Sequence, residues 1–181
     1  MGNTRSKKLE EYLVRETTLI LSMVALGLVQ LSLLPTPLGS PPALLLVLVV
    51  CRVLLGIGSG TIFADSGIEG AARWAFYGGL ILDIGSATPL GSHALALLGA
   101  VIVVAVGTAR LRVDGPFLPL LSVLVGSLVY EVVLTILVYN QFITLDEWYM
   151  YGINIIFPSV LLTLIPALPL FFLLRWMFRV P

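Results

Sequence analysis

The chain has 181 residues, of which 59% are hydrophobic and 11% charged, with a mean hydropathy of +1.06. A soluble domain carries about a quarter of its residues as charged side chains, so this composition excludes an ordinary soluble protein and points to a polytopic membrane protein. Ten basic and ten acidic side chains cancel, so no overall field attracts nucleic acid, and no nucleic-acid partner is expected. The single cysteine, Cys51, sits in an apolar run without an intrachain partner for a disulfide or a thiolate cluster, and reads as a packing residue.

Residues 1–16 carry Arg5, Lys7, Lys8 and Arg15, with Leu9, Tyr12 and Leu13 at helical spacing. This predicts a short amphipathic cytoplasmic segment on the membrane face, followed by a single membrane domain over 17–181. Six apolar segments follow, near 17–34, 42–64, 71–88, 90–109, 116–139 and 153–174. Each approaches the roughly 20 residues that a helix needs to cross about 30 Å of hydrocarbon. The first is longer than a signal-peptide core and no small-x-small site closes it, so no cleaved signal peptide is expected. The links are short and leave no room for a separate soluble domain. The expected fold is all-α, six transmembrane helices in one bundle.

Orientation follows from the basic residues, which favour the cytoplasmic side. Basic side chains occur before the first segment, in alternate links (Arg73, then Arg110 and Arg112) and after the last segment (Arg175 and Arg179), while the intervening links have none. Both termini are therefore expected in the cytoplasm. Trp74 and Trp176 fall at the inner interface and Trp148, Tyr149 and Tyr151 at the outer one, where aromatic rings prefer to sit.

Three charged residues lie at membrane depth: Arg52, Asp83 and Glu131. A carboxylate inside a span costs roughly 2.5 to 3.5 kcal/mol on insertion scales, so each charge needs a reason to be there. At about 1.5 Å per residue, Arg52 lies roughly 15 Å below the outer edge, Glu131 about 12 Å and Asp83 about 7 Å, which predicts one intramembrane polar cluster in the outer half. Arg52 can pair with either acid. Each charge shares a stripe with small or polar residues: Gly56 and Ser59 with Arg52, Gly79 and Ser86 with Asp83, Ser127 and Thr135 with Glu131. Such stripes mark helix-packing faces in membranes, with Gly56, Gly60, Gly79 and Ser127 as the close-contact positions. A structural ion-pair network and a partner- or ligand-binding surface are both open readings.

Pro89, Gly91 and His93 form the turn at the outer interface between the third and fourth segments. His93 has no second ligand close in sequence, so it reads as a cap or interface hydrogen bond and no metal is expected. The Gly56-Ile57-Gly58-Ser59-Gly60 run lacks the Gly-Lys-Ser/Thr ending of a phosphate loop and reads as helix packing. Pro158, Pro166 and Pro169 must bend or open the last helix, with Ser159 and Thr163 placed to satisfy freed carbonyls. No nucleophile–base set or clustered acid–histidine group is apparent, so neither an enzyme nor a cofactor is expected.

Residues 69–112, EGAARWAFYGGLILDIGSATPLGSHALALLGAVIVVAVGTARLR, resemble the signature region of the rod shape-determining protein MreD family, in which a Gly-Leu-Leu-Leu-Asp helix leads through a Pro-Leu-Gly turn into a span closing on basic residues. The matching positions include Gly79, Leu80, Leu82, Asp83, Gly85, Ser86, Pro89, Leu90, Gly91, His93 and Arg110. Gln30-Leu31-Ser32-Leu33-Leu34-Pro35 resembles the end of the family's first span, and Tyr130-Glu131 its fifth-span acidic pair. The family's Tyr-Asn pair in the last span has its nearest equivalent near Leu162-Thr163, so that asparagine's role does not carry over.

The resemblance implies a non-enzymatic, multi-pass protein of the bacterial inner membrane. It would belong to the elongasome, which supports lateral peptidoglycan synthesis, cell wall biogenesis and cell shape. The implied partners are an MreC-type bitopic protein and, through it, a RodA-type glycosyltransferase, a penicillin-binding transpeptidase and the MreB filament, with membrane lipid around the bundle. The family's fold is likened to the substrate-binding component of energy-coupling-factor vitamin transporters, and such a component is the alternative reading. Against it, the Ala-x-x-x-Ala docking pattern expected in the first span occurs instead at Ala71 and Ala75.

Overall fold

The computed structural model describes residues 3–32, 43–58, 67–110, 117–139, 149–150 and 152–177. Among these residues every regular element is helical: α1 (Asn3–Ser32), α2 (Leu44–Gly58), α3 (Gly67–Gly85), α4 (Ser92–Arg110), α5 (Phe117–Tyr139) and α6 (Phe157–Met177). A π-helical turn, Gly152–Ile156, leads into α6. By length and composition, three stretches are able to cross a membrane: Ser92–Ala109, Phe117–Val138 and Gly152–Trp176. Glu16–Ser32 and Leu44–Leu55 are apolar but shorter, and α3 carries Glu69, Arg73 and Asp83 along its 19 residues.

The bundle is built around α2. Its sequence, LLLVLVVCRVLLGIG, is apolar on every side apart from Arg52, and a helix of that kind has to be surrounded by others. Leu45, Leu46, Val47, Val49, Val50, Cys51 and Val53 are all buried, and α2 touches α1, α3, α4, α5 and α6. The other five form an arc around it, with α1 on α3, α3 on α4, α4 on α5 and α5 on α6. Among the described residues α1 and α6 do not meet, so the arc has two ends. Outward-facing side chains are mainly large and apolar, among them Leu21 on α1, Ile102 and Val106 on α4, Leu128 on α5 and Ile165 on α6.

Local chemistry explains the boundaries. The basic segment expected to stand apart is continuous with the first apolar stretch in a single helix of 30 residues. Residues 3–16 contain neither proline nor glycine to stop it. At the junction, Thr17 and Thr18 donate back to the carbonyls of Leu13 and Val14 at 2.8 and 2.7 Å, which uses their hydroxyls within the helix. The third and fourth apolar segments are separated by a longer turn than expected, covering 86–91.

The last helix opens at its start rather than at its middle. Pro158 has no N–H to donate to the preceding turn and its ring crowds that turn's carbonyls, and the wider π-turn lies immediately before it. Pro166 and Pro169 sit inside α6. The hydroxyls of Ser159 and Thr163 are used mainly between helices, as described below, instead of on carbonyls freed by those prolines.

Candidate functional site

Asp83 lies near the end of α3, 4% exposed, and its carboxylate is aimed at the start of α4. Oδ2 accepts the Gly91 N–H at 2.9 Å and Oδ1 accepts the His93 N–H at 2.9 Å. The Leu95 N–H bonds back to the Gly91 carbonyl at 2.9 Å, which makes Gly91 the capping position of α4. The first N–H groups of a helix have no partner inside it, and a Ser, Thr, Asp or Asn at the cap normally supplies one. Gly91 has no side chain to do so, and its φ of +97° is a left-handed conformation that favours glycine. Asp83 supplies the missing acceptor from the preceding helix, placing negative charge at the positive end of α4. The turn is completed by Ser92, whose N–H and Oγ both donate to the Pro89 carbonyl at 3.1 and 2.7 Å.

The reach of Asp83 depends on Gly79, one turn earlier. A Cβ added there would lie 2.2 Å from Ala94 Cα and 2.5 Å from Ala94 N. The backbones of α3 and α4 therefore touch, and only glycine permits it.

The start of α2 is capped in the same two places by different chemistry. Ala43 is its capping residue, since the Val47 N–H bonds to the Ala43 carbonyl at 3.1 Å. The Ala43 N–H donates to Thr163 Oγ1 from α6 at 3.1 Å, and the Leu45 N–H donates to Gln30 Oε1 from α1 at 3.0 Å. Gln30 and Thr163 are buried. A Cβ on Gly85 would strike Leu31, so the end of α1 lies against the end of α3. Both capped starts are thus at the same end of the bundle.

Tyr130 and Glu131 on α5 extend this polar layer. The His93 Nδ1 and Tyr130 Oη atoms are 2.6 Å apart, and the two rings stack with centroids 5.9 Å apart. Glu131 Oε1 accepts the Ser159 hydroxyl from α6 at 2.5 Å. Thr163 Oγ1, while accepting from Ala43, donates to the Ser159 carbonyl at 2.8 Å. Polar contacts at one end therefore involve all six helices, with Tyr130 and Glu131 as neighbours joining the α4 side to the α6 side.

Arg52 is not part of this layer. Its guanidinium carbon lies 5.7 Å from the centroid of the Trp74 ring, within cation–π range, and Nη2 would be 3.1 Å from a Cβ on Gly70. Gly70 and Asp83 are separated by about 20 Å of helix at about 1.5 Å per residue. The expected cluster of Arg52, Asp83 and Glu131 is thus divided. The physical reason is that the long arginine side chain turns away from α2's start and reaches Gly70 and Trp74 in the first turns of α3, towards the opposite end of the bundle from the two acids.

Of the helix-packing positions, Gly79 touches Ala94 as described, and Ser127 is 1% exposed with its hydroxyl on the Leu124 carbonyl at 3.0 Å. Gly56 falls within α2, while Gly60 and Ser59 lie outside the described residues. Ser86 bonds Thr88 within the turn at 2.6 Å. Gln30, Tyr130, Ser159 and Thr163 carry the layer but were not singled out as its members by sequence; the available signal was each polar group standing within an otherwise apolar run. Among the described residues, no three His, Cys, Asp or Glu side chains converge on a possible metal position. No family model, curated protein or solved structure is similar to the chain at a significant level.

Proposed function

We propose that the chain is a non-enzymatic subunit of the MreD type, with six spans and both termini in the cytoplasm of a bacterial cell. It docks an MreC-type bitopic partner in the inner membrane and, through it, supports lateral peptidoglycan synthesis by a RodA-type glycosyltransferase and its transpeptidase. The reading rests on the resemblance of residues 69–112 to the family's signature region. The observation that supports it best is the use made of Asp83: both oxygens are taken up by backbone N–H groups across the Pro89-Leu90-Gly91 turn. That role suits a residue that shapes the α3–α4 hairpin of an assembly subunit. The fold proposed with it is the one likened to vitamin-transporter binding components.

The test is co-purification. A tagged chain, extracted in mild detergent from cells that contain an MreC-type protein, is expected to retain that protein. Consistent failure to retain it, with the chain itself folded, contradicts the proposal, and stabilisation by a vitamin in a thermal-shift screen would favour transport instead. The position of the basic links gives a second check: cysteines placed beside Arg73 and Arg110 should be protected from an impermeant thiol reagent in intact cells, and one placed beside Pro89 should be labelled.

A further inference from the structure

Asp83 and Glu131 are both acids at membrane depth, but the fold satisfies them unequally. Asp83 is buried and both of its oxygens accept hydrogen bonds. Glu131 is only half-buried. Its Oε1 holds Ser159, while Oε2 has no hydrogen-bond partner among the described residues and is not fully buried. A carboxyl oxygen left without a donor at membrane depth is unfavourable unless something else supplies one.

The surroundings fit a helix as that something. Glu131 stands on the same stripe of α5 as Leu128 and Leu124, both exposed, one and two turns away at helical spacing. Ser127 and Thr135, four residues before and after it, are 1% and 2% exposed, so Glu131 stands at the border between the covered and uncovered parts of α5, beside Ser159 of α6. A lipid tail covers the leucines but offers nothing to Oε2. A headgroup is too far away, because Glu131 is eight residues, about 12 Å of helix, from the end of α5.

We propose that Glu131, with Leu124 and Leu128, is the seat for a partner's single transmembrane helix, which presents one hydrogen-bond donor side chain to Oε2 at the depth of Glu131. This rests on the reading of the chain as a subunit that docks a bitopic protein, and it names the face that does so. Acceptor character at Oε2 selects a partner helix carrying an Arg, Lys, His, Ser or Thr within its apolar run. Asp83, already satisfied, makes no such contact.

Two measurements test the seat in the intact complex. In co-purification with the MreC-type partner, Glu131→Leu is expected to lower retention at least tenfold, Glu131→Gln to keep most of it because an acceptor oxygen remains, and both variants to melt within a few degrees of the parent. In cells, a photo-crosslinking residue at position 128 is expected to capture the partner, and the same residue at Ile102, on the outward face of α4, is not. Full retention by Glu131→Leu, or crosslinking from 102 and not from 128, overturns the proposal. If the unaltered chain retains no partner, the docking reading itself fails; if it does and the variants behave alike, only the seat is lost.

Discussion

The starts of α2 and α4 solve one problem in two ways. Each leaves its first N–H groups without partners inside the helix, and each has the same two groups satisfied from elsewhere: the one at the capping residue and the one two residues later. At α4 a single carboxylate takes both, from a residue eight positions before Gly91 in a hairpin. At α2 two neutral side chains share the work, Gln30 from 15 residues away and Thr163 from 120 residues away. A local hairpin can be locked by one charged group, which also meets the helix dipole. The start of α2 is reached separately by α1 and α6, so its cap reports whether both of those helices are seated on α2.

The largest effect should come from removing the approach that makes the charged cap possible. Gly79→Val puts side-chain atoms where Ala94 backbone stands, and since backbone cannot turn aside, a loss of about 3 kcal/mol or more is expected in thermal or denaturant unfolding of the detergent-solubilised protein. A loss under about 1 kcal/mol would mean that α3 and α4 are not in backbone contact.

Next comes Asp83 itself. Asp83→Leu strands two half-buried N–H groups and should cost about 2 to 4 kcal/mol. Asp83→Asn keeps one acceptor oxygen but turns an NH2 towards the other donor, so it should fall between the leucine variant and the parent. Equal losses in both variants would mean that negative charge, and not hydrogen-bond acceptance, holds α4.

The neutral cap should be weaker per group. Gln30→Leu and Thr163→Val each leave one N–H unpaired and are expected to cost about 1 kcal/mol. Because Thr163 also bonds Ser159, beside the group that holds Glu131, its loss should combine non-additively with Ser159→Ala and additively with Asp83→Asn. Smallest of all, Glu16→Gln removes a partly exposed ion pair with Arg73, 3.6 Å across α1 and α3, and should change stability by less than about 1 kcal/mol.

The same contrast explains what the sequence made legible. An apolar chain with charged residues spaced along it announces a helical bundle, and Asp83 beside Pro89-Leu90-Gly91 announces a local structural event, because the interacting residues are close along the chain. The cap of α2 is silent in sequence, since nothing in Gln30 or Thr163 names its partner. Arg52 misleads for a related reason. Its depth on α2 places it near the acids, but depth fixes only the Cα, and the side chain is long enough to take its charge to Trp74 and Gly70. The continuity of α1 was hidden by charge: the basic stretch reads as a separate surface helix, although no residue in it interrupts the helical backbone.

The central claim is that Asp83 serves the fold by holding the start of α4, leaving partner contact to other residues. Amide hydrogen exchange in detergent or nanodiscs, read over residues 89–95 and 43–47, tests it directly. Asp83→Asn should speed exchange at the Gly91 and His93 amides by about 30-fold, the equivalent of about 2 kcal/mol of local protection, with the Ala43 and Leu45 amides unchanged and the partner still retained. Unchanged exchange at Gly91 and His93, together with loss of the partner, would contradict it.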